Sequence, residues 1–249
     1  MEEIEKLKAE NEELKKMNAV KSDLISISSH QLRTSLSALK WILKMFLDED
    51  LGKLTTEQQS FIAKAYNSNE RMIALVNDLL TLNHSADTAL PFTFKKIDIL
   101  YLMEQTVFEF SGETSKKDVE LIFLKPDHPL PPLDCDEQMI RVVLQNLIEN
   151  AIKYSNPKGK VFLSLKQAND AIMISVHDTG IGITNDDKSS IFQKFYRAPN
   201  AIEKDVIGSG LGLFTTKNIV ERHNGKIWFE DASGGGTTFF VSLPLSQSL

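Results

Sequence analysis

The first fifty residues contain neither glycine nor proline, and this feature most restricts how the chain can fold. Because those two residues interrupt helices most strongly, the stretch predicts one long helix that reaches about Asp50. Within residues 1–18, MEEIEKLKAENEELKKMN, the 3-4-3-4 spacing typical of a coiled-coil seam is kept by Ile4, Leu7, Asn11, Leu14 and Asn18. We therefore expect a coiled coil over residues 1–18. A fused leucine zipper, a natural signalling helix and a solvated charged helix all fit this composition.

A second helix is predicted after a short break. Gly52 ends the first helix and Thr55 or Thr56 supplies an N-cap. From about Thr56 to His84 a one-sided apolar stripe is formed by Phe61, Ile62, Ala65, Met72, Ile73, Val76, Leu79 and Leu80. Residues 19–85 thus predict a helical hairpin, and a homodimer would close it into a four-helix bundle.

The pattern changes after a linker over residues 86–96. Short apolar runs predict strands at 119–125, 160–167, 171–178, 226–231 and 237–244, and helices are predicted at 98–111, 136–154 and 212–224. Residues 97–247 should therefore form an α/β sandwich with a mixed, largely antiparallel sheet. The fold class predicted for the whole chain is α plus α/β.

Composition excludes several function classes. A formal net charge of -6 argues against nucleic-acid binding, which needs a basic excess. Cys135 is the only cysteine, so an intrachain disulfide is impossible and a reducing compartment is favoured. No apolar run approaches the length of a membrane span, and a charged stretch rather than a signal peptide follows Met1. We expect a soluble, cytoplasmic chain or fragment, whose parent protein can still be membrane-anchored.

His30 lies on the polar side of the first helix. At 100° per residue, an apolar stripe lies about 180° to 240° away from it and comprises Ile25, Leu32, Leu36, Leu39 and Leu43. Neither Arg33 nor Thr34, at the third and fourth positions after His30, is a usual metal ligand. The histidine should therefore face solvent, either as an ordinary surface residue or as a reactive group.

The segment QNLIENAIKYS places two amides and an ammonium along one helix face. Asn146 and Asn150 are four residues apart, and Lys153 follows one turn later. Hard amide oxygens suit Mg²⁺, and a lysine suits phosphate. The plain alternative is a solvated helix face.

Two glycine motifs flank a segment that resembles a lid. HDTGIGI ends a predicted strand with Asp178, which can accept a hydrogen bond from an exocyclic amine such as adenine N6. GSGLGL opens directly into a helix, whose first N–H groups bind phosphate. Between them, residues 183–207 contain FQKFYRAPN, in which Arg197 could reach phosphate.

Taken together, these motifs resemble the cytoplasmic core of the sensor histidine kinases over about residues 18–247. SHQLRTSLSALKW resembles the family's phosphoacceptor box, QNLIENAIKY its N box, DTGIG and GSGLGL its two glycine boxes, and FQKFYR its F box. The resemblance implies a dimerisation and phosphotransfer hairpin followed by a GHKL-type ATP-binding domain. ATP and Mg²⁺ would be the cofactors, and a second copy of the chain and a response-regulator receiver domain the partners.

The resemblance also implies residue roles. His30 would be the phosphorylated nucleophile, with Gln31 beside it and Thr34 positioning water for dephosphorylation of the partner. Asn146 and Asn150 would hold Mg²⁺ and Asp178 would bind adenine. The nucleotide-binding set implied in full is Asn146, Asn150, Lys153, Tyr154, Asp178, Gly180, Gly182, Arg197, Gly208, Gly210, Leu211, Gly212 and Thr237.

Two residues depart from the family pattern. Gln31 stands where many members carry Glu or Asp, and an amide cannot remove a proton from His30. Ser35 stands where the pattern has proline, so the helix should be straighter there. We predict an ATP-dependent protein-histidine kinase, and the pattern leaves open a bifunctional enzyme that is also a phosphatase. The alternatives are mainly a response-regulator phosphatase or degenerate scaffold, and a plain ATPase. Asn146 disfavours the ATPase, because the resemblance implies Glu at that position in the ATP-hydrolysing relatives of these kinases.

Overall fold

The computed structural model describes residues 2–86, 92–204, 208–232 and 234–246. Some side chains of the first two helices lie outside the described part, among them those of His30, Leu79 and Leu80. The chain divides into a helical unit that precedes Phe92, with which Gly208 and Ser209 are grouped, and a second compact unit formed by the other residues from Phe92 onward. The two units are described separately below.

The helical unit is a hairpin of α1 (Glu2–Leu47) and α2 (Thr56–Ala86). α1 continues without interruption from the predicted coiled coil through the phosphoacceptor box. The turn contains Gly52 at φ 108°. α2 begins with a capping box in which the Thr55 hydroxyl accepts from the Gln58 backbone N–H at 3.2 Å and the Gln58 side-chain oxygen accepts from the Thr55 backbone N–H at 2.9 Å. The predicted N-cap is therefore Thr55.

Among the described side chains, the two helices pack through apolar residues with polar support. Leu43 and Val76 are buried. The buried Asn69 side chain donates to the Leu36 carbonyl oxygen at 2.9 Å, and Lys40 forms an ion pair with Glu70 at 2.9 Å. A single hairpin leaves several residues of the predicted apolar stripes in solvent, namely Leu32, Leu39, Phe61 and Met72. Trp41 and Ile42, which were not part of those stripes, are exposed as well.

The second unit is an α/β sandwich. Its five-stranded sheet has the order β2-β4-β5-β7-β6, formed by β2 (Glu120–Leu124), β4 (Lys160–Ala168), β5 (Ala171–Asp178), β7 (Thr237–Pro244) and β6 (Lys226–Asp231). Only the β2–β4 pair is parallel among these strands. The predicted mixed, largely antiparallel sheet is confirmed.

One face of this sheet is covered by helices. The apolar side chains that pack on this face come from three helices, α3 (Ile99–Glu109), α5 (Glu137–Tyr154) and α7 (Gly212–Arg222). β5 shows why the sheet has one covered face, because Ile172, Ile174 and Val176 are buried while the residues between them are partly exposed. The core fixes α5 and α7, which carry five residues of the predicted nucleotide-binding set: Asn146, Asn150, Lys153, Tyr154 and Gly212.

Four short elements were not predicted. β1 (Lys95–Ile97) pairs antiparallel with β3 (Leu133–Cys135), and α4 (Ser111–Lys117) and α6 (Pro199–Lys204) are single-turn or two-turn helices. Three-residue strands are too short to show an alternating pattern, and α6 lies inside the segment predicted to be a lid. Among the helices in the described ranges, none combines the length and the apolarity that a membrane span requires.

Candidate nucleotide-binding site

Asp178 ends β5 as a buried carboxylate. Its side chain is 5 % exposed, and it accepts hydrogen bonds from the backbone N–H of Gly180, at 2.9 Å, and of Thr237. Burial raises the pKa of the Asp178 carboxyl to about 6, against the opposite effect of these hydrogen bonds and of the charge on Lys204. An acceptor of this kind can take a hydrogen bond from an amine, which also stabilises its ionised form.

The first glycine box is hydrogen-bonded to the end of α5. The Ile181 N–H donates to the Tyr154 carbonyl oxygen at 3.2 Å, and Ser155 and Gly180 form an isolated antiparallel bridge. The Asn156 N–H donates to the Thr179 carbonyl oxygen. The N box and the first glycine box therefore form one rigid junction beside Asp178. Tyr154 is part of this junction through its backbone.

Gly236, which the sequence reasoning missed, closes the other side of Asp178. It has φ 92°, and a Cβ atom there would collide with the Asp178 carbonyl oxygen. A glycine is required because the β7 end must approach the backbone of β5. The run GGGTT at 234–238 is the signal that would have found it. Thr237, the next residue, is 4 % exposed and supplies its N–H to Asp178.

Asn146 lies between α5 and α7. Its amide nitrogen donates to the Gly212 carbonyl oxygen and to the Thr216 hydroxyl, both at 3.3 Å. These bonds direct the nitrogen toward α7, which leaves the amide oxygen for the role of acceptor or metal ligand. Asn150 and Lys153 lie one and two turns further along α5, both partly buried. The Lys153 ammonium is 5.6 Å from the centre of the Tyr154 ring.

The donor set fits a magnesium ion bound together with nucleotide phosphates. Two amide oxygens four residues apart offer hard ligands, and Mg²⁺ usually keeps waters and phosphate oxygens in its remaining positions. Across the described ranges, no group of three or more His, Cys, Asp or Glu side chains is arranged to hold a metal by itself. The described part of the chain therefore contains no metal site made of these side chains alone.

The second glycine box joins the lid to α7. Gly210 has φ 71°, and a Cβ atom there would lie 2.6 Å from the Phe195 carbonyl carbon. The Phe195 N–H donates to the Gly210 carbonyl oxygen at 3.0 Å. Leu211 is fully buried and Gly212 begins α7, whereas Gly208 is exposed in the segment before it. Gly182, with φ 68°, lies close to Gly236.

Within the lid, three side chains form a hydrogen-bonded cluster. The Thr184 hydroxyl donates to the Asp187 carboxylate at 2.6 Å, and the Tyr196 hydroxyl donates to its other oxygen. Both bonds hold the pKa of Asp187 below its ordinary value. Asp187 is only 5 % exposed, so this cluster holds the F box against the start of the lid, just after the first glycine box. Tyr196 was part of the quoted F box, but its partner Asp187 had no recognisable signal.

Two lid cations have other partners than phosphate in this structure. The Arg197 guanidinium donates to the Ala201 carbonyl oxygen at 3.4 Å. The Lys204 ammonium donates to the Asn156 side-chain oxygen at 3.0 Å, close enough to Asp178 for their charges to interact. Burial lowers the pKa of Lys204. Lys204 and Asn156 were not predicted, because a lysine in a lid has no distinguishing pattern.

The phosphoacceptor residues belong to the helical unit. His30, Gln31 and Thr34 all lie within α1, and Gln31 and Thr34 are exposed. The His30 side chain lies outside the described part, so its outward orientation stays a prediction. The second unit brings together the N box, the first glycine box, Gly210, Gly212 and Thr237. The phosphoacceptor residues lie apart from that set, on α1.

Comparison with known proteins identifies both units. Residues 20–86 match the His Kinase A (phospho-acceptor) domain, and residues 135–247 match the histidine kinase-, DNA gyrase B-, and HSP90-like ATPase family. The chain is 32 % identical over 228 residues to the circadian input-output histidine kinase CikA of Synechococcus elongatus, covering 91 % of this chain and 30 % of that protein. It is 35 % identical over 237 residues to the sensor histidine kinase WalK of Bacillus subtilis, covering 94 % and 38 %. The chain thus spans about a third of the length of these relatives.

Solved structures agree with these matches. Full-length ShkA in complex with AMPPNP is similar with a TM-score of 0.69 and 27 % identity, covering 91 % of this chain and 46 % of ShkA. The catalytic domain of the histidine kinase ThkA is similar with a TM-score of 0.55 and 27 % identity, covering 61 % of this chain and 96 % of that domain. The predicted resemblance is confirmed, and the chain belongs to the sensor histidine kinases, as a phospho-acceptor domain followed by an ATPase-type domain.

Proposed function

We propose that this chain is an ATP-dependent protein-histidine kinase of a two-component system. It transfers the γ-phosphoryl group of ATP to His30 and then to an aspartate of a response regulator. The observation that carries this proposal is the buried Asp178 carboxylate beside the amide row of α5, in a chain whose α1 contains a phosphoacceptor box. ShkA, similar over 91 % of this chain, was solved with AMPPNP.

At the nucleotide end, each residue has a binding role. Asp178 accepts a hydrogen bond from the exocyclic amine of adenine, and the raised pKa of its carboxyl makes that acceptor sensitive to pH near 6. The amide oxygens of Asn146 and Asn150 would hold Mg²⁺, which would neutralise charge on the β- and γ-phosphates. Lys153 adds a positive charge along the same helix, and the N–H groups at the start of α7 face the phosphates.

At the acceptor end, a neutral imidazole is the nucleophile. A ring nitrogen of His30 forms the P–N bond while the bond between the γ-phosphorus and the bridging oxygen breaks, leaving ADP. The proton on the other ring nitrogen then leaves. Gln31 can accept a hydrogen bond from that N–H but not its proton, so water takes it. Histidine suits this role because its ordinary pKa of about 6.5 keeps a neutral fraction at neutral pH.

Asn146 favours transfer over hydrolysis. Hydrolysis needs a base that removes a proton from water, and an amide cannot act as that base. The Asn146 amide nitrogen is also occupied by the Gly212 carbonyl and the Thr216 hydroxyl. These bonds hold the amide in one orientation with its oxygen available, which supports a ligand role rather than that of a base.

A labelling experiment tests the proposal. The chain is incubated with γ-labelled ATP and Mg²⁺ beside His30→Ala and the matched control His128→Ala, which removes an exposed histidine from a loop. We expect acid-labile, base-stable label on the parent chain and on His128→Ala but not on His30→Ala. Label that persists in His30→Ala would refute the assignment.

The exposed apolar surface of the hairpin supports a homodimer. Leu32, Leu39 and Phe61 are 52 %, 41 % and 62 % exposed in one copy. A second copy would cover such residues in a four-helix bundle, and the predicted coiled coil over residues 1–18 would add to it. Light scattering on the intact chain tests this. We expect a dimer that weakens in Leu39→Glu, and a monomeric parent chain would contradict the proposal.

A response-regulator phosphatase is the second candidate function. Thr34 lies one turn after His30 with an exposed position, and Gln31 lacks the basicity that would assist phosphorylation. A threonine hydroxyl can orient water toward an acyl phosphate on the partner. Dephosphorylation of a phosphorylated receiver domain should be lost in Thr34→Ala and retained in Thr34→Ser. Equal rates in both variants would remove this candidate.

A further inference from the structure

Two phenylalanines at the start of the second unit enclose a buried histidine. The ring centres of Phe92 and Phe94 lie 4.9 Å and 5.1 Å from that of His223. The guanidinium carbon of Arg222 lies 3.7 Å from the centre of the Phe92 ring, within the range of a cation–π contact. Phe94 is 38 % exposed, so this ring lies at the surface of the unit and is not part of its buried core.

The backbone between these phenylalanines is also held by a hydrogen bond. The Thr93 N–H donates to the Asp136 carboxylate at 2.8 Å. Immediately afterwards, Lys95–Ile97 pairs with Leu133–Cys135. The segment that follows the helical unit is therefore held at consecutive points, starting at Phe92.

His223 connects this segment to both nucleotide-binding helices. Its Nδ1–H donates to the Ile219 carbonyl oxygen at 2.8 Å, and its Nε2 accepts from the Asp136 N–H at 3.0 Å. These roles require the neutral ring, and burial lowers the pKa of His223 accordingly. Asp136 in turn caps α5, because its carboxylate accepts from the Met139 N–H at 3.1 Å.

We propose that Phe92, Phe94, Asp136, Arg222 and His223 form a clip that positions the nucleotide-binding unit for phosphoryl transfer. The clip fixes Phe92 as the point where the chain leaves that unit. Without it, residues 92–94 would no longer be held on the nucleotide-binding unit and would add three residues to its connection with the phosphoacceptor hairpin. A longer, looser tether lowers the effective concentration of bound nucleotide at His30.

The clip predicts a separation of rate from affinity. It lies at the start of α5 and the end of α7, whereas Asn146 and Gly212 lie further along α5 and at the opposite end of α7. Opening it should therefore leave ATP affinity unchanged and lower the rate constant for phosphorylation. A purely structural role would lower both together. This inference rests on the proposed kinase function.

The test uses the full chain with Phe92→Ala/Phe94→Ala. We expect ADP and ATP affinities within twofold of the parent chain, and a three- to tenfold lower rate of His30 phosphorylation with an unchanged KM for ATP. Phe92→Tyr/Phe94→Tyr keeps both rings and should restore the rate. Phe108→Ala, which removes a 78 % exposed phenylalanine of the same unit, is the matched control and should behave as the parent chain.

The outcomes separate the clip from the kinase. If the parent chain does not label His30, the proposed function fails. If the parent chain labels and the double alanine variant labels equally fast, the clip fails. A parallel loss of nucleotide affinity and rate in the double variant would also overturn it, because that result shows a general disruption of the unit.

Discussion

The hydroxyl of Ser35 donates a hydrogen bond to the carbonyl oxygen of Gln31, 3.1 Å away and one turn earlier on α1. The two residues that depart from the family pattern are thus in direct contact, one on each side of Thr34. The serine keeps its backbone N–H and adds a second donor to a carbonyl that a proline would displace. The helix is continuous through the phosphoacceptor box, and its greater straightness at Ser35 stays a prediction.

Ser35→Pro should change the balance of activities. A proline at this interior position removes a helix hydrogen bond and introduces a kink, at a cost of roughly 3 kcal/mol. We expect lower thermal stability and an altered ratio of autophosphorylation to receiver dephosphorylation. Ser35→Ala keeps the backbone N–H and is the control. If the ratio is the same in all three proteins, this position has no part in switching.

Gln31→Glu should speed autophosphorylation. A carboxylate beside His30 can remove the proton that leaves the imidazole, and a general base typically contributes a factor of about 100 or more. We expect an increase of at least about tenfold in the initial rate of label incorporation. Gln31→Ala should not exceed the parent chain. Equal rates for the glutamate and parent proteins would show that proton removal does not limit the reaction.

Asp178 should make ATP affinity depend on pH. The ionised carboxylate accepts from the adenine amine, and the pKa of this group is raised to about 6. ATP affinity should therefore weaken as pH falls through about 6. Asp178→Asn should lose roughly ten- to a hundredfold in affinity at pH 7.5, with a flatter profile, because a hydrogen bond to a charged group is removed. Calorimetry from pH 5 to pH 8 measures both effects, and parallel profiles would contradict this role.

The same group should affect stability in the opposite direction. An acid whose pKa is raised on folding favours the folded state below its unfolded pKa of 3.8, and that contribution is lost as pH rises through about 6. Relative to Asp178→Asn, the parent chain should thus lose at most about 3 kcal/mol of unfolding free energy between pH 4 and pH 8. Chemical denaturation of both proteins across this range isolates the term. A constant difference would mean that Asp178 ionises normally.

Tyr196→Phe should loosen the lid. The change removes one of the two hydroxyl donors to Asp187 and with it the hydrogen bond between the F box and the start of the lid. We expect nucleotide dissociation to accelerate roughly tenfold, measured by stopped-flow displacement of a fluorescent ATP analogue. Tyr101→Phe, at a 60 % exposed position of α3, is the control. An unchanged dissociation rate would show that the Asp187 cluster does not control the lid.

The sequence predicted the elements whose patterns are long. The strands from Lys160 onward are six to nine residues long and contain apolar runs, and α5 and α7 show a clear apolar face, so their existence and order were confirmed. The three-residue strands β1 and β3 were missed because pairing between distant segments, not local pattern, creates them. The helical hairpin followed from the Gly52 break and the Thr55 cap.

The site was predictable to the extent that its residues lie in recognisable motifs. Asp178, Asn146 and the glycines of both boxes could be named, and their assignment as ligands of nucleotide and metal stays a prediction. Contacts between distant segments were not visible. Asp187 with Tyr196, Lys204 with Asn156, and the Phe92 and Phe94 pair around His223 depend on side-chain packing that no spacing rule encodes.

The most direct test of the central claim is the stoichiometry of a single turnover. The chain is mixed with less than one equivalent of γ-labelled ATP in Mg²⁺, and phosphohistidine and ADP are quantified together over time. Transfer to His30 predicts that each ADP formed is matched by one acid-labile phosphoryl group on the protein, and that His30→Ala forms neither product. ADP and free phosphate that accumulate equally in the parent chain and in His30→Ala would contradict the account.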